Sequence, residues 1–128
     1  MSIEAYLQSL LAAVAASPNV HSSEVALDQR GPQAGLVRGD IYHADGSWLH
    51  FRELIDLEAE PARLMYSYHY QRRDASLVFR YDDTPHYPDL PNFPHHKHDG
   101  REENVIPVTP PDLPVVLAEV ERVTTDLL

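Results

Sequence analysis

Histidine side chains able to carry acid–base or metal chemistry are concentrated in one part of this 128-residue sequence. Five of the eight histidines lie between residues 63 and 101, where Arg80 and Lys97 add positive charge. Histidine titrates near neutral pH, so neighbouring histidines can supply both the base and the acid of a phosphodiester cleavage. Cations beside them would stabilise the phosphate as charge develops on it. RNA cleavage without a metal ion is therefore the chemistry that this segment favours.

Two alternating segments, residues 64–71 and 77–82, predict how these side chains come together. Their period of two predicts antiparallel strands, each with one aromatic face and one polar face. If the aromatic faces match, His69 lies opposite Arg80, and Asp82 follows two residues later on the same polar face. A loop that starts just after Asp82 would bring at least one of its histidines back over this face.

The predicted site residues fall into two groups. The catalytic group is His69, Arg80, Asp82 and His96, and the substrate-binding group is His86, His95, Lys97, His98 and Tyr81. The alternative for His69 and Arg80 is an ordinary polar pair on a solvated sheet face, with the guanidinium held by Asp82. Coordinates that scatter the catalytic group would rule out the site.

The histidine cluster also permits a metal site. In extended backbone His96 and His98 point to the same side, and Asp82 or Asp83 would add an oxygen ligand for a divalent ion. The spacing matches no established metal motif, however, and the sequence has no cysteine. The preferred prediction is that the protein has no metal ion and no other cofactor.

Glu53 falls on the apolar face of the segment Trp48–Leu57, which is costly for a carboxylate unless it is paired. Such a group would suit a general base. The preferred interpretation is a bulge or sheet edge that lets Glu53 reach solvent, or an ion pair with an arginine.

Aromatic residues alternate along the two central strands. The tyrosines of this stripe are Tyr66, Tyr68, Tyr70 and Tyr81. They would either stack nucleic-acid bases or form a core under the helices, and the core is preferred because both predicted helices need a surface to pack on.

The remaining patterns predict an α+β fold: an antiparallel meander of about five or six strands, a helix at each end, and a long proline- and histidine-rich loop. Apolar residues at helical spacing predict a helix over Ile3–Ala16 and another that begins at Pro110-Pro111-Asp112. The stretch Thr84–Asn104 is predicted to be entirely loop, because four evenly spaced prolines prevent pairing as a central strand.

Composition sets the limits on the function. The net charge of −10 argues against a nucleic-acid ligand, although residues 63–101 alone hold six bases against five acids. The chain lacks cysteine, an apolar run long enough for a membrane span and a signal-peptide pattern, which indicates one cytoplasmic domain over residues 1–128.

The central motif resembles the TumE family of toxins from bacterial type II toxin–antitoxin pairs. The residues that carry the resemblance are Tyr66-Ser67-Tyr68-His69-Tyr70-Gln71, Leu77-Val78-Phe79-Arg80-Tyr81-Asp82, Pro85-His86, Leu90-Pro91 and Phe93-Pro94-His95-His96-Lys97-His98. It covers about residues 35–128. The resemblance implies a toxin whose partner is a helix-turn-helix antitoxin, and analogy with other small toxins favours an endoribonuclease.

Two functions remain open at the level of the sequence. The first is a toxin that cleaves RNA. The second is a non-catalytic module that binds an antitoxin or another protein through the proline-rich stretch Thr84–Asn104, called the arm, and an acidic face. Whether the first helix packs on its own sheet or on another subunit is equally open, so a homo-oligomer is an alternative.

Overall fold

A computed structural model describes the backbone of residues 1–126 and the side-chain surroundings of residues 1–124. The elements in chain order are α1 (Ile3–Ala15), β1 (Val20–Gln29), β2 (Ala34–His43), β3 (Trp48–Asp56), β4 (Arg63–Gln71), β5 (Leu77–Asp82), β6 (His96–Asp99), β7 (Val105–Pro107) and α2 (Leu113–Asp126). The strands form one antiparallel sheet in the order β1 to β7. The predicted α+β meander is confirmed, with seven strands in place of five or six.

Both helices cover the same face of the sheet. Leu10 and Val14 of α1 and Val116 and Val120 of α2 join the buried strand residues in one core. A sheet with helices on one side alternates buried and exposed residues, as the sequence of β3 and β4 does. Residues Tyr66, Tyr68 and Tyr70 are 2% exposed or less, so the tyrosine stripe is core. The first helix packs on its own sheet.

Each helix is fixed by local signals as well as by packing. The Ser2 side chain accepts a hydrogen bond from the Ala5 amide at 3.1 Å and caps α1. Asp112 does the same for α2, accepting from the Val115 amide at 3.1 Å. Within residues 1–126, neither helix has the length and apolar character needed to cross a membrane.

The prediction that residues 84–104 are entirely loop was wrong, because β6 lies within them. β6 pairs with β5 on one side and with β7 on the other. The prolines that argued against a strand end at Pro94, and none lies within His96–Asp99. Pro107 closes β7 at the sheet edge, where a missing backbone N–H removes no bond from the ladder.

Leu64 also departs from the simple alternation. The pattern places it with the tyrosines, but it is 50% exposed. The register between β3 and β4 shifts here, so that Leu54 lies opposite Met65 and Ile55 opposite Arg63. A bulge that adds one residue to a strand reverses the face of the residues beyond it. Arg63 consequently reaches the ring of Tyr66, with its guanidinium carbon 4.3 Å from the ring centroid.

Candidate functional site

The sheet face opposite the helices, called the open face below, carries two rows of polar residues that run across the strands. The first row is Asp40, His50, His69, Arg80 and His98, and the second is Arg38, Arg52, Ser67, Asp82 and His96. Each row takes one residue from each of β2 to β6. The rows exist because the register keeps the polar sides of successive strands aligned.

The predicted pairing of β4 with β5 is confirmed. His69 lies opposite Arg80 and Ser67 opposite Asp82. The unexpected strand β6 then adds His98 opposite Arg80 and His96 opposite Asp82. The structure therefore brings the whole predicted catalytic group onto adjacent strands of one face.

Other predicted residues are not brought to this face. Tyr81 and Lys97 point toward α2, where Glu119 accepts hydrogen bonds from the Tyr81 hydroxyl at 2.5 Å and from Lys97 Nζ at 2.7 Å. His95 stacks on Tyr66, with ring centroids 5.8 Å apart. His86 is exposed in the arm, where its ring contacts Tyr87 at a centroid distance of 6.3 Å. Only His98, of the predicted substrate-binding group, belongs to the open-face rows.

Arg80 is held by two carboxylates. Its Nη1 and Nη2 atoms donate to both oxygens of Glu102, at 2.6 and 2.5 Å, and its Nε lies 3.3 Å from Asp82 Oδ2. The hydrogen bonds to Glu102 raise the pKa of Arg80 and lower the pKa of Glu102. The His69 ring forms a hydrogen bond with the Gln71 side chain, at 3.0 Å, and not with Arg80. The alternative interpretation, in which Asp82 holds Arg80, is thus borne out in part.

Asp82, His96 and His98 form a buried cluster at the end of the two rows. Their exposed fractions are 6%, 1% and 4%. Burial by itself raises the pKa of Asp82, but hydrogen bonds from the Thr84 side chain and amide and the nearby His96 outweigh it, so that the pKa of Asp82 lies below its ordinary value. The three side chains could hold a metal ion. Asp83 is not part of the cluster. Its carboxylate instead accepts a hydrogen bond from the Tyr66 amide at 3.2 Å.

Two pairs on the open face went unrecognised in the sequence. His50 lies opposite His69, and its Nδ1 is 2.8 Å from Asp40 Oδ1, which also accepts from Trp48 Nε1 at 2.9 Å. A cleft of about 580 Å³ lies over this region. The residues around it include Trp48, His50, Arg52, Met65, His69 and Arg80. The Asp45-Gly46 turn was the available signal, because a hairpin closed there places residue 40 opposite residue 50.

The second pair is Arg38 and Arg52, which face each other across β2 and β3. Both side chains are exposed, and neither has an ion-pair or hydrogen-bond partner among the residues that the structure describes. Like charges directly opposite each other destabilise a sheet. Two adjacent guanidiniums on a chain of net charge −10 therefore make a local site that an anion would stabilise.

Glu53 lies on the helix-covered face and is fully buried, at 0% exposure. The preferred interpretation, exposure to solvent or an ion pair with an arginine, was wrong. Its oxygens accept hydrogen bonds from the hydroxyls of Tyr6 and Tyr68 instead, and the Tyr68 hydroxyl also accepts from Arg63 Nη1 at 2.6 Å. Glu53 is thus separated from the open face by the sheet itself.

Comparison with known proteins adds the family. No curated protein and no solved structure matches this chain significantly. The family model described as Toxin TumE matches residues 9–126, and so extends well before residue 35, where the resemblance was expected to begin. A match over nearly the whole chain, which includes both strands of the His69–Arg80 pair and all of β6, shows that the chain belongs to the TumE family of toxins.

Proposed function

We propose that this TumE-family protein is the toxin of a toxin–antitoxin pair and that it acts by cleaving RNA on its open face. The observation that carries the proposal is the adjacency of two cross-strand pairs, His50 with His69 and Arg38 with Arg52. The histidine pair can transfer protons, and the arginine pair can bind an anion. Cleavage of an RNA phosphodiester uses both.

The histidine pair fits the roles of base and acid. Residues directly opposite in an antiparallel pair have Cβ atoms about 5 Å apart, so two imidazoles can act on the same phosphodiester. Asp40 Oδ1, at 2.8 Å from His50 Nδ1, orients that ring so that Nε2 is left for the substrate. Among the described residues, His69 forms a side-chain hydrogen bond with Gln71 and with no carboxylate. This asymmetry supports His50 as the base and His69 as the acid.

The reaction follows from these assignments. His50 removes the proton of a ribose 2′-hydroxyl, and the oxygen attacks the adjacent phosphorus. The bond from phosphorus to the 5′-oxygen breaks, and His69 donates a proton to that leaving oxygen. The products are a 2′,3′-cyclic phosphate and a 5′-hydroxyl end. Arg52 lies beside His50 at the cleft and would stabilise charge on the phosphate oxygens.

The cleft also offers a surface for a base. Trp48 and Met65 border it on the same face as His69. Indole rings stack on unpaired bases, and such stacking contributes about 1–3 kcal/mol per base without strong sequence preference. Single-stranded RNA is therefore the expected form of the substrate.

The test is cleavage of single-stranded RNA by purified protein, with end-group analysis of the products. The His50→Gln and His69→Gln variants should each lose about 10²–10⁴-fold in rate. His21→Gln is the matched control, because His21 is exposed on β1 and outside the cleft. Unchanged cleavage in both cleft variants, or a folded protein that stops growth and leaves RNA intact, would refute the proposal.

Arg52→Ala tests the anion site separately. RNA affinity should fall and should depend less on salt, because one phosphate contact is lost. Arg30→Ala provides the control, since Arg30 is exposed and does not line the cleft. Equal losses in the two variants would mean that net charge alone controls binding.

The second candidate is a protein-binding module, and the exposed arm favours it. Phe93 is 43% exposed there, and the chain as a whole is strongly acidic. A helix-turn-helix antitoxin is the partner proposed under either function. Toxicity that survives alanine at His69 and at His96 would support binding over catalysis.

A further inference from the structure

We propose that Asp82, His96 and His98 form a binding site for one divalent transition-metal ion of the zinc class. The inference does not depend on RNA cleavage, because it concerns how three buried side chains are arranged. Asp82 comes from the end of β5, and both histidines come from β6, whose alternation points them to the same side.

The hydrogen bonds of the two imidazoles define which nitrogen faces the carboxylate. His96 Nδ1 lies 2.9 Å from the Pro94 carbonyl oxygen, and His98 Nδ1 lies 2.8 Å from the Glu102 carbonyl oxygen. A carbonyl oxygen only accepts, so the proton of each neutral ring is on Nδ1. Each Nε2 then presents a lone pair toward Asp82.

The lone pair of His96 has no hydrogen-bond partner among the described residues, although its Nε2 is almost wholly buried. Asp82 Oδ1 lies 3.0 Å away, but the orientation does not meet the requirements of a hydrogen bond. Two acceptor atoms at this separation repel each other unless a proton or a metal ion lies between them. Buried polar atoms are seldom left without a partner, so this one points to a missing ligand.

The distances fit a metal ion. Two ligand atoms at about 2.1 Å from one ion are about 3.0 Å apart at a right angle and about 3.4 Å apart at the tetrahedral angle. His96 Nε2 is 3.0 Å from one oxygen of Asp82, and His98 Nε2 is 3.8 Å from the other. All three ligand atoms lie within 4.8 Å of one another.

The surroundings support the same role. Metal-binding histidines usually donate the other ring N–H to a backbone carbonyl, which holds the ring in place, and both rings here do so. Tyr87 from the arm packs its ring against His96 and His98, with centroid distances of 4.9 and 6.1 Å. Two imidazoles and one carboxylate favour zinc, cobalt or nickel over magnesium, which prefers oxygen ligands.

The expected consequence is electrostatic. A divalent ion bound by one carboxylate and two neutral imidazoles changes the local charge from −1 to +1. Asp82 also borders the cleft on the open face. The ion would therefore link β6 to the end of β5 and place a positive charge at one end of that cleft.

The test is titration of metal-stripped full-length protein with Zn²⁺ by calorimetry and with Co²⁺ by visible absorption, at pH 7 and without RNA. We expect one ion per chain, a higher Tm on binding and no comparable effect of Mg²⁺. Asp82→Asn, His96→Gln and His98→Gln should each weaken binding at least tenfold. His43→Gln is the control, because His43 is a buried histidine outside the cluster.

Several outcomes would overturn the inference. One is a chain that binds neither Zn²⁺ nor Co²⁺. Another is binding that survives in a folded Asp82→Asn variant with a wild-type circular-dichroism spectrum. Binding that is lost in His50→Gln but kept in His96→Gln would place the ion at the Asp40–His50 pair instead. If a single variant fails to fold, the other two ligand positions still decide the matter.

Discussion

Replacement of Tyr68 by phenylalanine should be far more costly than the same replacement at Tyr70, although both residues are core positions on one strand. The Tyr68 hydroxyl donates to Glu53 Oε2 at 2.6 Å, whereas the Tyr70 hydroxyl donates to Ser47 Oγ at 2.7 Å. The two rings are 0% and 2% exposed. The difference in cost between the two replacements therefore reports on the hydrogen-bond acceptor, which is a buried carboxyl group for Tyr68 and a neutral hydroxyl for Tyr70.

The magnitudes follow from the partners. A hydrogen bond to a charged group contributes about 1.5–3 kcal/mol, and a neutral one contributes about 1 kcal/mol. Tyr68→Phe also removes the acceptor of Arg63 Nη1, which keeps only the Pro111 carbonyl at 2.5 Å. Glu53, at 0% exposure, cannot replace the lost donor with bulk water. We expect a loss of about 2–4 kcal/mol for Tyr68→Phe and about 1 kcal/mol for Tyr70→Phe.

Urea unfolding followed by circular dichroism measures both losses. With a slope of about 1–3 kcal/mol per molar urea, a difference of about 2 kcal/mol separates the two midpoints by about 1 M. The slopes should agree between the variants, since neither change alters the surface exposed on unfolding. If Tyr68→Phe costs no more than Tyr70→Phe, the hydrogen bond from Tyr68 to Glu53 does not contribute the stability expected of it, and the description of this cluster is wrong.

Two further predictions concern the core and its pH dependence. Burial lowers the pKa of His43 below its ordinary 6.5, so the folded protein resists protonation there, and stability should fall as the pH drops below about 6.5. The free energy of unfolding should fall by at most about 2 kcal/mol between pH 6.5 and pH 5, as measured by urea unfolding at the two pH values. This loss should vanish in His43→Leu. A His43→Leu variant with the same pH dependence as the wild type would contradict the prediction. Gly39→Ala places a Cβ atom well inside van der Waals contact with Phe51 Cε1, and should cost at least about 2 kcal/mol. The cost should shrink when Phe51→Leu is added, and equal costs in both backgrounds would rule out the clash.

Much of the site was predictable wherever it depends on side-chain alternation. The aromatic faces of β4 and β5 must both turn to the core, and this alone places His69 opposite Arg80. The same reasoning applied to the Asp45-Gly46 hairpin would have placed Asp40 opposite His50, as the structure does. Alternation is a local property of the chain, so it can be read without knowledge of distant contacts.

Features that depend on distant contacts could not be predicted in this way. Glu53 can be buried because the hydroxyls of Tyr6, in α1, and Tyr68 both donate hydrogen bonds to it. The residue types around position 53 do not indicate either contact. The exposure of Leu64 depends on a bulge, which no alternation reveals.

The sequence by itself determined the α+β class, the strand parity and the family motif, because each depends on residues close together in the chain. Only the tertiary structure decided that His96 and His98 lie in a strand beside β5, and that the helices leave the face with His50 and His69 uncovered. The physical reason is that strand pairing and helix packing join residues far apart in the sequence, and the four residues of β6 carry no local pattern that shows which strand they pair with.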